Sequence, residues 1–242
     1  MQAALPGLGV PDQYILLRSA QRRRTIELSI DPIGRLQVAA PLRTPRHEID
    51  AFVRSKARWI AKTLRDHHER ERHLRRGYTT GDLLPYLGRE LRLSVIEAAR
   101  PAAARLVDET LEVSVPGDLS EEARRAAAVQ ALEGWFAAQA EDVLAKRVRA
   151  LAPLVGAQPN RVRVRRQKSR WGSCGADGTL YFNWAIVMAP LPVVDYLVVH
   201  ELSHLRRRGH GPSFWKVVER ALPDYETPRA ELRRDGWRYR LS

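Results

Sequence analysis

Cysteine is nearly absent from this sequence of 242 residues, in which Cys174 is the only one. A single cysteine excludes any disulfide within the chain, which fits a reducing compartment. A chain of this length can bury a sizeable hydrophobic core without such crosslinks. We therefore expect a fold that packing and hydrogen bonding hold together.

Long apolar runs are also missing. No stretch approaches the ~20 apolar residues that a membrane-spanning helix needs. The first residues, Met1–Gly7, lack the basic start and the apolar segment of a secretory signal. We expect a cytoplasmic protein that has no membrane partner.

Acidic residues are scarce relative to basic ones: 28 Asp and Glu stand against 41 Lys and Arg, which gives a formal net charge of +13. Such an excess favours association with polyanions through an electrostatic attraction that does not depend on sequence. Nucleic acid and nucleotides are therefore candidate partners. An arginine-rich composition also arises from a GC-rich genome, and net charge bears on association rather than on fold.

A short motif of the form H-E-x-x-H, His200 to His204, lies inside an apolar run. On a helix this spacing puts both imidazoles on one face, about one turn apart, so that they can bind one zinc ion. Glu201 would then deprotonate a water molecule on the metal without being a ligand. The alternative is a structural trio, but such groups on a buried helix are costly unless they bind something. The motif predicts a zinc hydrolase.

The third ligand is a choice between His210 and a carboxylate. Helical periodicity stops before Gly209, which suits a left-handed C-terminal cap that turns the chain back. His210 follows this turn, Pro212 opens the next helix, and three histidines would leave the fourth position open for water. The alternatives are the carboxylates of the following segments, Glu219, Asp224 and Glu226. We favour His210.

Further motifs follow one another in order between residues 161 and 222. They are Q-K-S-R-W-G-S-C at Gln167–Cys174, G-T-L-Y-F-N-W at Gly178–Trp184, the stretch Pro190–His204, and G-H-G-P-S-F-W at Gly209–Trp215. With these motifs the chain resembles the YgjP-like family of zinc-dependent hydrolases, which is distantly similar to the SprT and Spartan metalloproteases. The resemblance implies a zincin-like catalytic part, a zinc site at His200, His204 and His210, and Glu201 as the catalytic carboxylate.

The expected fold class is α+β. Residues 1–118 are expected to form a β-rich, basic part with one long helix, and residues 119–242 a mainly helical catalytic part with a small sheet, although the two could form one continuous domain. Alternation predicts strands over Tyr14–Arg18, Thr25–Ile30, Leu36–Ala40, Asp82–Tyr86, Arg89–Ile96, Ala104–Asp108 and Thr110–Val115. Periodicity predicts helices over Thr44 to about Arg76, Ser120 to about Leu151, and Thr227 to about Tyr239.

The strictly alternating segment Arg161–Arg165 predicts a strand with arginines along one face. We expect it to form a hairpin with Leu180–Asn183, beside the metal. Arg170, at the end of this basic run, is the first candidate to support negative charge on a tetrahedral intermediate; the alternative is that it locks the loop. Asn183 is a candidate to orient a ligand histidine.

Two classes of function fit these residues. The first is a zinc hydrolase, favoured as a metallopeptidase that cuts polypeptide amide bonds and that its basic surface could localise to nucleic acid. Within this class, a nucleotide phosphoanhydride hydrolase whose arginines bind phosphates is the alternative. The second class is a nucleic-acid-binding module with structural zinc. The three histidines argue against it, because structural zinc normally has four protein ligands.

Overall fold

A computed structural model describes residues 14–19, 25–31, 34–74, 77–99, 101–167 and 170–241 of the chain. Its contacts divide into two compact units, Met1–Leu74 and Arg75–Ser242. This division falls well before the boundary expected at residue 118, because strands that precede residue 118 pack against the long helix that follows it. Both units combine helices with small sheets, so the α+β fold class is confirmed.

The first unit is a three-stranded sheet followed by two helices. Strands β1 (Ile15–Ser19), β2 (Glu27–Ile30) and β3 (Leu36–Pro41) lie in the order β1-β3-β2, with β1 parallel and β2 antiparallel to β3. Helices α1 (Arg46–Ser55) and α2 (Ala57–Leu74) follow. The core of this unit contains Tyr14, Leu36, Val38, Ala40, Ile49, Val53, Ile60 and Leu64.

The single helix predicted from Thr44 to about Arg76 is wrong, since α1 and α2 are separated at Lys56. This residue has φ −103° and ψ 11°, outside the α-helical range. The hydroxyl of Ser55 donates a hydrogen bond to the carbonyl of Phe52 over 2.7 Å. Serine hydroxyls that bond to nearby carbonyls compete with the helical ladder. Apolar periodicity continues on both sides, so the sequence pattern did not reveal the break.

The second unit begins with a four-stranded sheet of β4 (Leu83–Tyr86), β5 (Arg89–Glu97), β6 (Ala103–Val107) and β7 (Thr110–Val115). Its order is β4-β5-β7-β6, with β5 and β7 parallel and the two outer pairs antiparallel. The four strands predicted for this region are confirmed. The turn between β4 and β5 uses positive φ angles at Leu87 and Gly88.

Helix α3 (Glu121–Val155) is the central element of this unit and contacts both of its sheets. Ser120 caps it, with its hydroxyl accepting a hydrogen bond from the Ala123 amide, and the acidic Glu121 and Glu122 suit the positive end of the helix dipole. The buried residues recur every three to four positions: Ala128, Leu132, Phe136, Ala140, Leu144, Val148 and Leu151. The helix continues past the predicted end at Leu151 because Gly156, at φ 67°, supplies the left-handed cap.

A second, three-stranded sheet follows α3. Strands β8 (Arg161–Arg165), β9 (Gly172–Cys174) and β10 (Thr179–Asn183) lie in the order β8-β10-β9. The predicted hairpin of Arg161–Arg165 with Leu180–Asn183 is wrong, because β10 runs parallel to β8 and antiparallel to β9. Strand β9 forms the hairpin with β10 instead, because a tight turn at Gly175–Gly178 connects these two strands. In this turn the Gly175 amide donates a hydrogen bond to the Thr179 carbonyl over 2.8 Å.

The rest of the chain is helical. A 3₁₀ turn at Trp184–Met188 leads into α4 (Leu191–His204), α5 (Pro212–Ala221) and α6 (Glu226–Asp235). The last predicted helix ends at Asp235 rather than near Tyr239, and a second 3₁₀ turn, Gly236–Arg238, follows it. Among the described residues, no helix combines the length and the apolarity needed to cross a bilayer.

Candidate metal centre

Helix α4 carries the first two histidines of the motif. Most of its apolar residues are buried, Val194, Val198 and Leu202 completely, and this burial holds the helix in place. His200 and His204 therefore lie on adjacent turns, with their ring centroids 4.9 Å apart. Nδ1 of His204 lies 3.2 Å from the carbonyl oxygen of Arg207, which fixes the orientation of its ring.

A tight turn after α4 brings His210 close to His200 and His204. The amides of Arg206 and Arg207 bond to the carbonyl of Ser203, and α5 then starts at Pro212. Gly209 does not have positive φ, so the left-handed cap predicted there is wrong, and these bonds to Ser203 end the helix instead. Nε2 of His210 lies 3.1 Å from Nε2 of His200.

The structure brings together all three histidines of the predicted site. One ring nitrogen from each of His200, His204 and His210 lies within 4.8 Å of the other two. Nitrogen ligands at 2.0–2.1 Å around a tetrahedral zinc ion are about 3.3 Å apart. The 3.1 Å between Nε2 of His200 and Nε2 of His210 is close to this spacing. The alternative third ligands Glu219, Asp224 and Glu226 are exposed, and within the described part of the chain they do not join this cluster.

Burial favours the neutral form of the imidazoles of His200 and His204. It lowers the pKa of His200 to about 3, and the neighbouring His204 and His210 act in the same direction. Burial also lowers the pKa of His204. A neutral imidazole is the form that binds a metal ion, so no proton has to be displaced from these two rings near neutral pH.

Glu201 lies beside this cluster with its carboxylate in the protein interior. Glu201 is only 4% exposed, and this burial raises the pKa of its carboxyl group to about 8. Neither Oε2 of Glu201 nor Nδ1 of His200 has a hydrogen-bond partner within the described residues. Buried polar atoms without partners are costly. The oxygen of Glu201, beside the histidine cluster, therefore indicates that the site is built for a polar or charged occupant.

Gly172, in strand β9, faces the carboxylate of Glu201. A Cβ atom on Gly172 would lie 2.6 Å from Oε1 of Glu201 and 2.8 Å from its Cγ. Separations this short are not compatible with van der Waals contact, so only glycine allows the strand to approach the carboxylate. No local sequence pattern indicated this role, although the glycine stands in the motif W-G-S-C.

Aromatic residues of α5 form one wall of the centre. Phe214 is completely buried, and its ring centroid lies 4.6–5.0 Å from those of all three histidines. Trp215 stacks on Tyr225 at 5.4 Å and has the guanidinium of Arg229 4.1 Å above its ring. These contacts connect α5 and the start of α6, and they position the segment that bears His210.

The histidines open onto a cavity of about 500 Å³. Glu201 and the three histidines line one side, residues 172–176 line another, and Arg208 also contributes. Arg170 is exposed and is not among the lining residues. Arg208 was not singled out from the sequence, because three consecutive arginines give no signal of which one faces inward.

Asn183 and Cys174, both near the centre along the chain, have different surroundings. The amide of Asn183 donates to the carbonyls of Gln167 and Arg170, and its oxygen accepts from the amide of Ala185. The prediction that Asn183 orients a histidine is therefore wrong; it fixes the loop before β9. Cys174 lines the cavity but does not join the histidine cluster, and burial raises the pKa of its thiol.

Comparison with known proteins gives one family match. A family model described as "YgjP-like, metallopeptidase domain" matches residues 24–235. One similar solved structure is that of the metallopeptidase zymogen abylysin from Pyrococcus abyssi, with 24% sequence identity and a TM-score of 0.36 over 40% of this chain and 97% of that one. No curated protein gives a significant match.

Proposed function

Because this chain belongs to the YgjP-like metallopeptidase family, we propose that it hydrolyses polypeptide amide bonds with a zinc ion held by His200, His204 and His210. The observation that carries the proposal is the convergence of these three ring nitrogens within 4.8 Å of one another at the wall of an open cavity. Metal binding and peptidase chemistry follow from the family. The choice of zinc and the role of each residue are our proposals.

Zinc fits this ligand set for two reasons. Imidazole suits zinc, copper, iron and nickel, but amide hydrolysis needs no change of oxidation state, and zinc has no redox chemistry. Three protein ligands also match catalytic zinc, which keeps a position for water or substrate, whereas structural zinc normally has four protein ligands. When bound, such an ion supplies a Lewis acid that polarises a carbonyl group and acidifies water.

Glu201 is the proposed general base and acid. Its buried carboxylate lies next to His200 and has an oxygen without a partner among the described residues, so that this oxygen is available to accept a proton. A nearby cation would favour the ionised form and so counteract the burial that raises the pKa to about 8. Glu201 then takes a proton from the attacking water and returns it to the leaving nitrogen.

Strand β9 is the proposed site for the backbone of the substrate. It is an edge strand of its sheet and it lines the cavity. Edge strands bind extended peptides through main-chain hydrogen bonds, which requires no particular side chain in the substrate. Arg170 remains our proposal for supporting the negative charge that develops on the substrate, a role that requires its exposed side chain to reach into the cavity.

The test is hydrolysis of an unstructured protein by the zinc-loaded chain, with and without a chelator. Removing a positioned general base reduces the rate by about 10²–10⁴-fold. We therefore expect Glu201→Gln to lose activity to this extent while its zinc content, measured by elemental analysis, stays unchanged. If this variant kept full activity, the assigned role of Glu201 would be wrong. Arg170→Gln in the same assay should reduce kcat without loss of zinc.

Nucleoside triphosphates provide the comparison substrate. The family implies a polypeptide substrate, and the comparisons offer no support for a nucleotide or for nucleic acid as a partner. We expect no chelator-sensitive phosphate release. Cleavage of the triphosphate in place of the protein would contradict the proposed amide hydrolysis.

A further inference from the structure

Arg208 differs from the two arginines that precede it. Arg206 donates hydrogen bonds to the carbonyls of Val155 and Gly156 at the end of α3, and Arg207 donates to the carbonyl of Arg206. Of these three residues, only Arg208 lines the cavity that contains the histidines and Glu201. Its guanidinium is the one arginine or lysine group in the described wall of this cavity.

The guanidinium of Arg208 has most of its donors available. Its one hydrogen bond to another described residue, from Nη2 to the carbonyl oxygen of Ala176, is long at 3.5 Å. The nearest acidic residue in that loop, Asp177, instead accepts hydrogen bonds from the amide and hydroxyl of Thr179. An arginine offers five N–H donors, which match a carboxylate in a bidentate arrangement.

Arg208 and Glu201 line the same cavity as Cys174 of β9. Burial is the main cause of the raised pKa of this thiol, but the charge of Glu201 raises it further and the charge of Arg208 lowers it. Both charged groups thus act on one residue of β9, the strand beside which the substrate backbone is proposed to lie. Other lining residues of this wall are small or neutral: Ser173, Gly175 and Ala176.

We propose that Arg208 is a specificity-determining residue that binds a carboxylate of the substrate, so that the preferred substrates are polypeptides with an acidic residue close to the scissile bond. This inference rests on the proposed peptide hydrolysis. A free C-terminal carboxylate has the same chemistry as a Glu or Asp side chain, and the two sources are distinguished by the position of cleavage and by amidation of the C-terminus.

The test uses the zinc-loaded full chain and quenched peptides in which a single Glu is moved along a neutral sequence. Each peptide has a matched Gln version and is made with a free and with an amidated C-terminus. A hydrogen bond to a charged group changes affinity by about tenfold or more. We expect kcat/KM to be about tenfold higher for Glu than for Gln at one fixed position, with no effect of amidation.

The arginine variants separate recognition from other roles. Arg208→Gln should remove the difference in kcat/KM between the Glu and Gln peptides, with the larger loss on the Glu peptide, and Arg208→Glu should favour a Lys peptide. Arg207→Gln is the matched control and should keep the preference for Glu. Equal losses on Glu and Gln peptides after Arg208→Gln would overturn the inference, because they would indicate a role in the reaction common to all substrates.

A binding measurement keeps the two proposals distinguishable. In the Glu201→Gln background, fluorescence anisotropy should show about tenfold tighter binding of a labelled Glu peptide than of its Gln partner, and Arg208→Gln should remove this difference. Cleavage without any charge preference would refute only the inference on Arg208. Absence of cleavage of every peptide would refute the proposed function, while the anisotropy would still decide whether Arg208 binds carboxylates.

Discussion

At the scale of single residues, the packing of Gly172 against Glu201 leaves no space for a larger side chain at position 172. Both sides are constrained, because Glu201 is buried and Gly172 lies in a paired strand. A methyl group at this position can be accommodated only if the carboxylate or the strand moves. Overpacking of this kind costs typically about 1–3 kcal/mol.

We therefore expect Gly172→Ala to reduce both stability and activity. The free energy of unfolding should fall by about 1–3 kcal/mol, and peptide hydrolysis should fall because Glu201 is displaced. Gly134→Ala is the control: a Cβ there meets nothing within 4 Å, and alanine in a helix is favoured over glycine by about 0.5–1 kcal/mol. Urea denaturation checks both values, and an unchanged Gly172→Ala variant would show that the strand yields easily.

In the metal-free protein, the ionisation of Glu201 makes the free energy of unfolding depend on pH. Its pKa rises from 4.5 to about 8 on folding, so between these pH values the folded state binds more protons than the unfolded state, and stability falls as pH rises. The pKa of His200 falls from 6.5 to about 3, so stability is lost as pH drops below 6.5. The two effects oppose each other up to pH 6.5, and Glu201 acts without this opposition from there to pH 8.

With a chelator present, the free energy of unfolding should decrease from pH 6.5 to pH 8 in the native sequence. Glu201→Gln should remove this decrease, whereas Glu219→Gln, which changes an exposed carboxylate on α5, should keep it. Urea denaturation at a series of pH values measures the slope. A flat profile for the native sequence would mean that the carboxylate is not desolvated.

At the scale of elements, α5 acts as the support of the third histidine. Phe214 contacts the rings of His200, His204 and His210, so its side chain limits how far they can rotate apart. Residues that orient metal ligands typically change metal affinity by 10–100-fold when they are replaced.

We expect Phe214→Leu to weaken zinc binding by about tenfold or more, with a smaller effect on the folding of the rest of the unit. Lys216→Ala, on the exposed face of the same helix, should leave the affinity unchanged. Competition with a chromogenic chelator measures both. Equal affinities for the two variants would argue that the aromatic wall does not position the rings.

The elements also explain what could be predicted from the sequence. The helical period predicts that His200 and His204 share one face, and the short connection after the helix predicts that His210 lies near them. Local patterns were therefore sufficient to predict the cluster of three histidines. Alternation in Arg161–Arg165 predicts a strand and its two faces but carries no information on its partner, which is why the hairpin prediction failed. The contact of Gly172 with Glu201 joins β9 to α4, two elements that lie well apart along the chain, and no local pattern reports it.

At the scale of the whole molecule, each of the two units has its own core of buried residues. All three histidines belong to the second unit, Arg75–Ser242. A ligand stabilises only the folded structure that binds it, by about 2.7 kcal/mol at a free concentration of 100 times Kd. Zinc should therefore stabilise the second unit by an amount that depends on its free concentration.

Hydrogen exchange with and without a chelator tests this expectation. Removing zinc should speed exchange in α4 and α5 while leaving β3 of the first unit unaffected. His204→Ala provides the control, since a protein that lacks one ligand should exchange at rates that depend little on the chelator. Identical exchange of the native sequence in both conditions would show that metal binding and folding are not linked.

The three imidazoles come from one short stretch, residues 200–210. Bringing them together costs little loop-closure entropy, so a chain emerging during synthesis can capture its ion once α4 and the turn after it exist. The carboxylate of Glu201, in contrast, packs against Gly172 of β9, a contact that spans a longer separation along the chain than the three histidines do. We expect metal loading to precede catalytic competence, which would keep a half-folded peptidase from degrading its own unfinished chain.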